Sequence, residues 1–226
     1  MISLRKLSSI FFRRPNRVFK EIYSNSLMVD WLSKHSTNNV FNNRENLYKY
    51  INDSIVSDQG IDFLEFGVYE GKSLFEWSEL NNCKNSRFFG FDTFEGLPED
   101  WDRIKHTDPA GHFDTKGILP KTSDPRIKFI KGLFQNTLNN FLDSYKPNNR
   151  IIIHNDSDLY TSSLFLLTTL DEFLKNGTII IFDEFFCASH EFQAFYDYIN
   201  SYKKKYNLVA CTKENPPVQV AIEFLQ

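Results

Sequence analysis

Short apolar runs alternate with stretches of helical periodicity from residue 60 onwards. We predict strands at residues 61–66, 87–92, 127–131, 150–156, 177–183, 207–212 and 218–224. We predict helices at Leu74–Leu80, Thr137–Ser144, Ser162–Leu174 and His190–Lys203. This alternation predicts an α/β fold with a Rossmann-like, doubly wound, mostly parallel seven-stranded sheet. Pro216 and Pro217, which separate the last two strands, indicate a C-terminal antiparallel hairpin.

Two segments fall outside this alternation. Residues 1–59 are predicted to form a basic N-terminal arm and a helical preamble, and residues 60–226 the catalytic or binding domain. Residues 93–126 are rich in Pro and Gly and show no sustained periodicity. Long irregular segments after the carboxyl end of a strand commonly cover the substrate in α/β enzymes, so we interpret 93–126 as a substrate lid. The alternative is that residues 93–126 form an ordinary surface loop.

Composition narrows the classes of function. The 226 residues are 41% hydrophobic, which is enough for one sizeable core. A net charge of −3 gives no support for a nucleic-acid-binding surface, and no apolar run approaches the ~18 residues of a transmembrane segment. The three cysteines lie far apart without metal-ligand spacing, which favours a reduced, cytoplasmic protein.

The first twenty residues are strongly basic and contain no acid. Their charged residues are Arg5, Lys6, Arg13, Arg14, Arg17 and Lys20. Leu4, Leu7 and Phe11 have helical spacing, which predicts a short amphipathic helix before Pro15. Such a segment could make peripheral contact with an anionic membrane. The interpretation we favour is an arm that packs on the domain or on a second subunit of a homodimer.

The stretch IDFLEFGVYEGKS, residues 61–73, carries the first candidate site. A strand that stops at Glu65 is followed by a tight turn through Gly67 and a helix that opens near Gly71. Free amides at that helix start can hold an anionic ligand, and glycine lets a cofactor approach the backbone. An ordinary strand-to-helix turn explains these residues equally well. Asp92 favours a nucleotide-type cofactor, because the acid that ends the second strand commonly binds ribose hydroxyls.

Paired acids follow two further strands. Asp156 and Asp158 come after one apolar run, and Asp183 and Glu184 come after another. Neighbouring strands would bring the four carboxylates together, which is costly unless positive charge neutralises them. A hard divalent cation such as Mg²⁺ is the simplest explanation. Helix capping by Asp158 and a surface position for Glu184 are the structural alternatives.

Several linked segments resemble the class I S-adenosylmethionine-dependent methyltransferases of the macrocin O-methyltransferase (TylF-like) family. These segments are LEFGVYEGKS, FFGFDTFEGLPEDW, IKGLFQNTL, HNDSDLYTSS and GTIIIFDEF, within residues 60–224. The resemblance implies Mg²⁺-dependent methylation of a sugar hydroxyl in a glycan or secondary metabolite. The acceptor would therefore be a small molecule or a glycan. Relatives that modify antibiotic sugars usually have Asp-Asp where this chain has Asp183 and Glu184.

The same resemblance assigns residue roles. The positions implied for the methionine and ribose part of S-adenosylmethionine are Glu65, Gly67, Tyr69, Gly71 and Ser73, with Asp92 at the ribose hydroxyls and Leu133 and Phe134 near the adenine. Asp156, Asp183 and Glu184 fall on metal-ligand positions, and Asp158 falls on the position of the general base. Asp156 and Asp158 are thus the expected catalytic residues.

The implied mechanism is an in-line attack of an acceptor oxygen on the activated methyl group. Asp158 would remove the proton from a metal-coordinated hydroxyl, with His112, His154 and His190 as alternative bases. A structural role is favoured for His154. Two other functions stay open: a metal-dependent glycosyltransferase that uses Asp156-Ser157-Asp158, and a non-catalytic protein that retains the fold. The first leaves the glycine turn and Asp92 unexplained.

Overall fold

The computed structural model describes residues 15–57, 59–103 and 106–226. The amphipathic helix predicted before Pro15 lies outside the described residues. The strands are β1 (Val40–Phe41), β2 (Ile61–Phe66), β3 (Arg87–Asp92), β4 (Trp101–Asp102), β5 (Thr107–Asp108), β6 (Ile127–Lys131), β7 (Arg150–Asn155), β8 (Ile179–Phe182), β9 (Tyr206–Thr212) and β10 (Val220–Phe224). The helices are α1 (Pro15–Lys34), α2 (Arg44–Tyr50), α3 (Lys72–Leu80), α4 (Phe134–Ser144), α5 (Tyr160–Thr169) and α6 (Gln193–Tyr202), and π-helical turns span Ile51–Val56 and Ala188–Phe192.

An eight-stranded sheet forms the centre of the molecule, in the order β1-β9-β10-β8-β7-β2-β3-β6. Neighbours from β8 to β6 pair in parallel, and β10 inserts antiparallel between β8 and β9. The predicted α/β fold, its seven strands and the C-terminal hairpin are confirmed. The eighth strand, β1, pairs with the edge of β9 and was not predicted, because two residues are too short to show a periodicity.

Hydrophobic side chains cover both faces of the sheet. On β2, Phe63 points to the face covered by α2 and α3, and Leu64 points to the face covered by α1, α4, α5 and α6. Successive strand residues alternate between faces, so Glu65 lies on the same side as Phe63. The carboxyl end of β2 therefore directs this acid towards α2 and α3.

Helices α1 and α2 are part of this packing. Trp31 of α1 and Tyr48 of α2 are buried in the two hydrophobic clusters, and the Trp31 indole donates a hydrogen bond to the Tyr206 hydroxyl at 2.7 Å. The chain before residue 60 contains α1, α2 and the π-helical turn at Ile51–Val56. The division of the chain at residue 60 stays a prediction. Among the described helices, none combines the length and the apolar character that a bilayer crossing requires.

A buried acid ties together the amino end of the sheet. Asp62 is fully buried and is bonded by the Arg87 guanidinium, the Tyr145 hydroxyl at 3.0 Å, the Asn148 amide at 3.1 Å and the Asn149 side chain at 2.9 Å. Burial opposes its ionisation, but these donors outweigh burial and hold the pKa of Asp62 below its usual value. This cluster joins β2, β3 and the segment before β7.

We predict that Asp62→Asn lowers the free energy of unfolding by about 2–4 kcal/mol at pH 7, because the Arg87 partner loses its carboxylate. Urea unfolding measures the loss. Asp30→Asn, which removes an exposed i,i+4 pair with Lys34, is the control and should cost less than about 0.5 kcal/mol.

Comparison of wild type with Asp62→Asn also tests how the stability contribution of Asp62 depends on pH. The pKa of Asp62 is depressed in the folded state, so its contribution is fully present above the unfolded pKa of about 3.9 and is lost as the pH falls through the folded pKa. The difference between wild type and Asp62→Asn should therefore shrink in acid. A difference that grows below pH 4 would contradict this assignment.

Candidate active site

One cavity opens at the carboxyl edge of the parallel strands. Eight of the twelve residues that the sequence assigned to a site line it: Gly67, Tyr69, Asp92, Leu133, Phe134, Asp156, Asp158 and Glu184. Asp92 is the last residue of β3, and the others come from the segments that follow β2, β6, β7 and β8. Trp101 and Phe113, from the segment interpreted as a lid, also line the cavity. Glu65, Gly71, Ser73 and Asp183 lie outside its lining.

Glu65 forms a fully buried hydrogen-bonded group behind the cavity. The Ser73 hydroxyl donates to Glu65 Oε1 at 2.5 Å, and His154 Nδ1 lies 2.9 Å from the same oxygen. The other oxygen, Glu65 Oε2, is buried without a hydrogen-bond partner among the described residues. An unpaired buried carboxylate oxygen is costly, so a positively charged ligand group fits this position.

The loop after β7 packs so closely on residue 67 that only glycine fits there. The φ of Gly67 is +93°, and a Cβ there would lie 1.8 Å from the carbonyl oxygen of Asp156. The structure shows that this glycine admits the loop after β7. Its predicted role in admitting a cofactor stays a prediction. The turn after β2 and the loop that carries two of the acids are therefore interlocked.

Asp92 holds the glycine turn in place. Its Oδ2 accepts hydrogen bonds from the amides of Val68 at 2.7 Å and Tyr69 at 2.8 Å, and its Oδ1 accepts one from the amide of Phe94 at 2.7 Å. A carboxylate offers roughly four acceptor positions, so three are already used. Asp92 nevertheless lines the cavity, and a contact with ribose stays a prediction.

The loop after β7 brings Asp156 and Asp158 to the cavity without extending the strand. The strand ends at Asn155, one residue earlier than predicted, and Asp158 adopts a left-handed φ of +60°. The Asn155 amide donates to Ser163 at 3.0 Å and accepts from Ser157 at 2.8 Å. This buried asparagine therefore anchors the acidic loop to α5, which explains the polar residue at the end of the strand.

Negative charge accumulates where the loops after β7 and β8 meet. Burial and the charge of Asp183 raise the pKa of Asp156 well above its usual value. Burial and the charges of Glu184 and Asp183 do the same for the pKa of Asp158. Burial and Asp183 raise the pKa of Glu184 to about 7. Asp183 is the exception: burial opposes its ionisation, but His154 and Arg44 hold its pKa below normal.

His154 is the buried counter-charge of this group. Burial disfavours its charged form, but hydrogen bonds and charge from Asp183 and Glu65 outweigh burial and raise the pKa of His154 to about 10. Nε2 lies 2.9 Å from the Tyr48 hydroxyl and 3.5 Å from Asp183. Both ring nitrogens are therefore engaged, which supports the structural role favoured from the sequence. His190 is similarly occupied, with Nε2 donating to the Asp102 carbonyl at 2.7 Å.

Sequence reasoning missed three residues that support the acids. Glu191 is fully buried and accepts from the amides of Asp158 at 3.3 Å and Glu184 at 3.0 Å. Arg44 of α2 lies 3.7 Å from Asp183, and Tyr48 contacts His154. Arg44 and Tyr48 belong to the predicted preamble, and no motif marks Glu191 within its helical pattern. Only proximity in the fold identifies these residues.

The donor set fits a hard divalent cation. One ring nitrogen of His154 and one carboxylate oxygen from each of Asp156 and Asp183 lie within 4.8 Å of one another. Because His154 is committed to Tyr48 and the acids, the oxygens are the available ligands, and Mg²⁺ prefers oxygen. The raised pKa values of Asp156 and Glu184 report excess negative charge that a cation would relieve.

A family of methyltransferase domains matches this chain. The family model Methyltransf_24, described as a methyltransferase domain, matches residues 64–185, which is more than half of the sequence. The chain therefore belongs to this methyltransferase-domain family. The matched range includes the glycine turn, Asp92 and the loops that carry all four acids. No curated protein sequence matches the chain.

Solved methyltransferases share the fold. CalS11, a calicheamicin methyltransferase, has a TM-score of 0.62 at 21% identity, covering 80% of this chain and 78% of its own. The O-methyltransferase NovP has a TM-score of 0.59 at 17% identity, with coverages of 80% and 79%. An O-methyltransferase from Bacillus cereus, in complex with SAH, has a TM-score of 0.54 at 14% identity, with coverages of 92% and 90%. Identities this low show a common fold alone.

We predict that Gly67→Ala lowers the free energy of unfolding by about 3 kcal/mol or more, through overlap with the Asp156 carbonyl added to the cost of a left-handed Ala. Gly177→Ala is the matched control: its φ is +88° with no atom within 4 Å of the added Cβ, so only about 1–2 kcal/mol is expected. Urea unfolding compares the two. Equal losses would show that contact with Asp156 does not constrain residue 67.

Proposed function

We propose that this protein is a Mg²⁺-dependent O-methyltransferase that uses S-adenosylmethionine and acts on a hydroxyl group of a sugar or a related secondary metabolite. The observation that carries the proposal is that one cavity joins two sets of residues. Gly67, Asp92 and Leu133 lie on one part of its wall, and Asp158 and Glu184 lie on another. A methyl donor and a coordinated acceptor could therefore meet within it.

The cofactor half of the cavity suits a nucleoside with a charged amino-acid end. Leu133 and Phe134 offer an apolar wall for adenine, and Asp92 lies at the edge where the ribose would sit. Glu65 Oε2, which lacks a partner among the described residues, fits the ammonium group. Gly71 and Ser73 open the helix behind this position, and Tyr69 is exposed at its mouth.

The acidic half suits a metal and a general base. We assign Asp156, Asp183 and Glu184 as metal ligands, with His154 and Arg44 balancing the remaining charge. A bound Mg²⁺ would supply the positive charge that makes an acceptor hydroxyl acidic. Asp158 then takes the hydroxyl proton, since its raised pKa makes its carboxylate a stronger base than an exposed one. Orientation of the acceptor oxygen towards the methyl group supplies the rest of the acceleration.

The acceptor class rests on the sequence resemblance and on the fold. The resemblance to the macrocin O-methyltransferase (TylF-like) family favours a sugar hydroxyl. One structure of CalS11 is described as a TDP-rhamnose 3'-O-methyltransferase, and its TM-score here is 0.54. Trp101 and Phe113, which belong to the segment interpreted as a lid, line the cavity, and this supports a lid that contacts the acceptor. A cytoplasmic location remains a prediction from cysteine content.

The glycosyltransferase alternative is less well supported. Ser157 of the Asp156-Ser157-Asp158 segment is committed to Asn155 and Ser163 through hydrogen bonds of 2.8 and 3.0 Å. The glycine turn and Asp92 face the same cavity as the acids, and a nucleotide-sugar site built on the three acidic-loop residues leaves them without a function.

We predict that S-adenosylmethionine and S-adenosylhomocysteine bind the purified protein with micromolar affinity, because the cavity is preformed and Glu65 Oε2, buried outside its lining, has no hydrogen-bond partner among the described residues. Isothermal titration with MgCl₂ and then with chelator measures the affinities and the metal dependence. Asp183→Asn should lose any metal dependence, and the exposed Asp143→Asn serves as the control. Binding of a nucleotide sugar in place of both compounds would support the glycosyltransferase instead.

We predict that Asp158→Asn lowers turnover by about 100-fold or more while S-adenosylmethionine binding stays within about twofold of wild type, because only the proton acceptor is removed. Mass spectrometry of S-adenosylhomocysteine release, with a panel of free and nucleotide-linked sugars, measures turnover. Asp143→Asn is again the control. A fully active Asp158→Asn enzyme would remove Asp158 from the mechanism.

A further inference from the structure

The π-helical turn Ala188–Phe192 connects four parts of the molecule. All five of its residues are buried. Ser189 donates a hydrogen bond to α1 at 2.6 Å, and His190 donates one to the β4–β5 hairpin at 2.7 Å. Glu191 contacts the loops after β7 and β8. π-Helical turns are rare and frequently lie at functional sites, so the contacts of this turn are candidates for a functional role.

The Glu191 carboxyl group bridges the β7 loop, residues 156–159, and the β8 loop, residues 183–187. Its Oε1 accepts a hydrogen bond from the Asp158 amide at 3.3 Å, and its Oε2 accepts one from the Glu184 amide at 3.0 Å. Each oxygen therefore holds one loop, and one planar group sets the distance between them. Glu191 lies outside the lining of the cavity, so it acts on the site through these backbone bonds.

Glu191 holds this position at an electrostatic cost. It is fully buried, and it forms no ion pair with a cation in the described part of the chain. Burial and the charge of Asp158 raise the pKa of Glu191 well above its usual value, against the opposing effect of the Glu184 amide bond. An apolar side chain would avoid this cost but would leave both amides without this acceptor, so the two hydrogen bonds explain why an acid is present.

We propose that Glu191 is a positioning residue that sets the separation between Asp158 and Glu184, and thereby between the general base and the metal. The inference rests on the proposed function, because that function assigns these roles to the two residues. The Asp183 amide already joins the two strand ends through the Asn155 carbonyl at 3.0 Å. Glu191 continues this connection into the loops, where the reacting groups lie. Since a misplacement of about 1 Å can lower a rate by about 100-fold, a fixed separation bears on turnover.

Glutamate meets the geometry of this bridge better than glutamine. A carboxyl group keeps acceptor capacity on both oxygens, whether or not it is ionised. The glutamine amide has one oxygen, and its nitrogen is a donor that would face the second backbone N–H. Glu191→Gln therefore keeps the size of the side chain but can hold only one loop. Glu191→Ala holds neither.

Hydrogen exchange in the metal-free protein tests the bridge itself. We expect Glu191→Ala to speed exchange at both the Asp158 and the Glu184 amide by about tenfold or more, and Glu191→Gln to do so at one of them. Two-dimensional NMR resolves the individual amides. The Glu191→Gln protein carries the comparison if Glu191→Ala does not fold, and the melting temperature decides this. Unchanged exchange at both amides would overturn the bridge.

Ser189→Ala is the matched control for the turn. Ser189 is 1% exposed and loses a hydrogen bond of 2.6 Å in this variant, but its side chain bonds to neither loop. Exchange at the Asp158 and Glu184 amides should therefore stay within about twofold of wild type. Equal acceleration by Ser189→Ala and Glu191→Gln would indicate general loosening of the turn and contradict a specific role for Glu191.

Mn²⁺ binding tests the consequence for the metal. The proposed ligands come from both loops, so we expect Glu191→Gln to weaken Mn²⁺ binding by about tenfold. The EPR signal of free Mn²⁺ measures this affinity. Binding of S-adenosylhomocysteine, measured by isothermal titration, should stay within about twofold of wild type, because the bridge does not contact the glycine turn or Asp92. Equal loss of both affinities would indicate disruption of the fold instead of a positioning role.

Turnover at saturating Mn²⁺ separates spacing from metal affinity. The acceptor is the sugar of the panel above that wild type methylates fastest. We expect Glu191→Gln to remain about tenfold or more below wild type when the metal site is full, because the base stays misplaced. Full recovery at saturating Mn²⁺ would restrict Glu191 to metal retention and overturn its role in spacing.

The outcomes also distinguish this inference from the proposed function. A wild type that binds neither Mn²⁺ nor S-adenosylhomocysteine would overturn both together. A wild type that binds both, alongside a Glu191→Gln protein that matches Ser189→Ala in all three measurements, would leave the proposed function intact and show that the positioning role is wrong.

Discussion

Repulsion among four carboxylates at the carboxyl edge of the sheet is the constraint on which the rest of the site depends. Asp156, Asp158, Asp183 and Glu184 are held together because β7 and β8 are adjacent and parallel. Buried charges of one sign are unstable without compensation. His154 provides part of that compensation from inside the sheet. The arrangement leaves Asp183 with a depressed pKa and the other three acids with raised pKa values, so the site holds more negative charge than its described cations balance.

Backbone contacts between neighbouring strand ends give this site its shape. The Gly67 amide donates to the Phe91 carbonyl, the Asp156 amide to Phe66 and the Asp183 amide to Asn155, so each loop is bonded to the end of the next strand. Asp92 then fixes the glycine turn through the amides of Val68 and Tyr69, and accepts a third bond from the amide of Phe94 in the segment after β3. The positions of the site residues are thus determined by the sheet itself, which is the preorganisation that orientation-dependent chemistry requires.

Helix α1 connects this site to the rest of the surface. Its inner face fills the core beside α6, and Arg17 near its start pairs with Asp102 at 3.1 Å on the β4–β5 hairpin that borders the cavity. The helix therefore touches both the structural core and the segment interpreted as a lid.

The sequence alone determined the strands, the hairpin and the acids that end the strands, because strand periodicity and terminal acids are local signals. It also indicated that the acids would meet, since parallel strands share a carboxyl edge. Only the tertiary structure decided which groups oppose their charge. Arg44 and Tyr48 lie more than a hundred residues before Asp156, and Glu191 sits in an unmarked helical turn. The reason for Gly67 was likewise invisible locally, because the atom that excludes a side chain there belongs to Asp156.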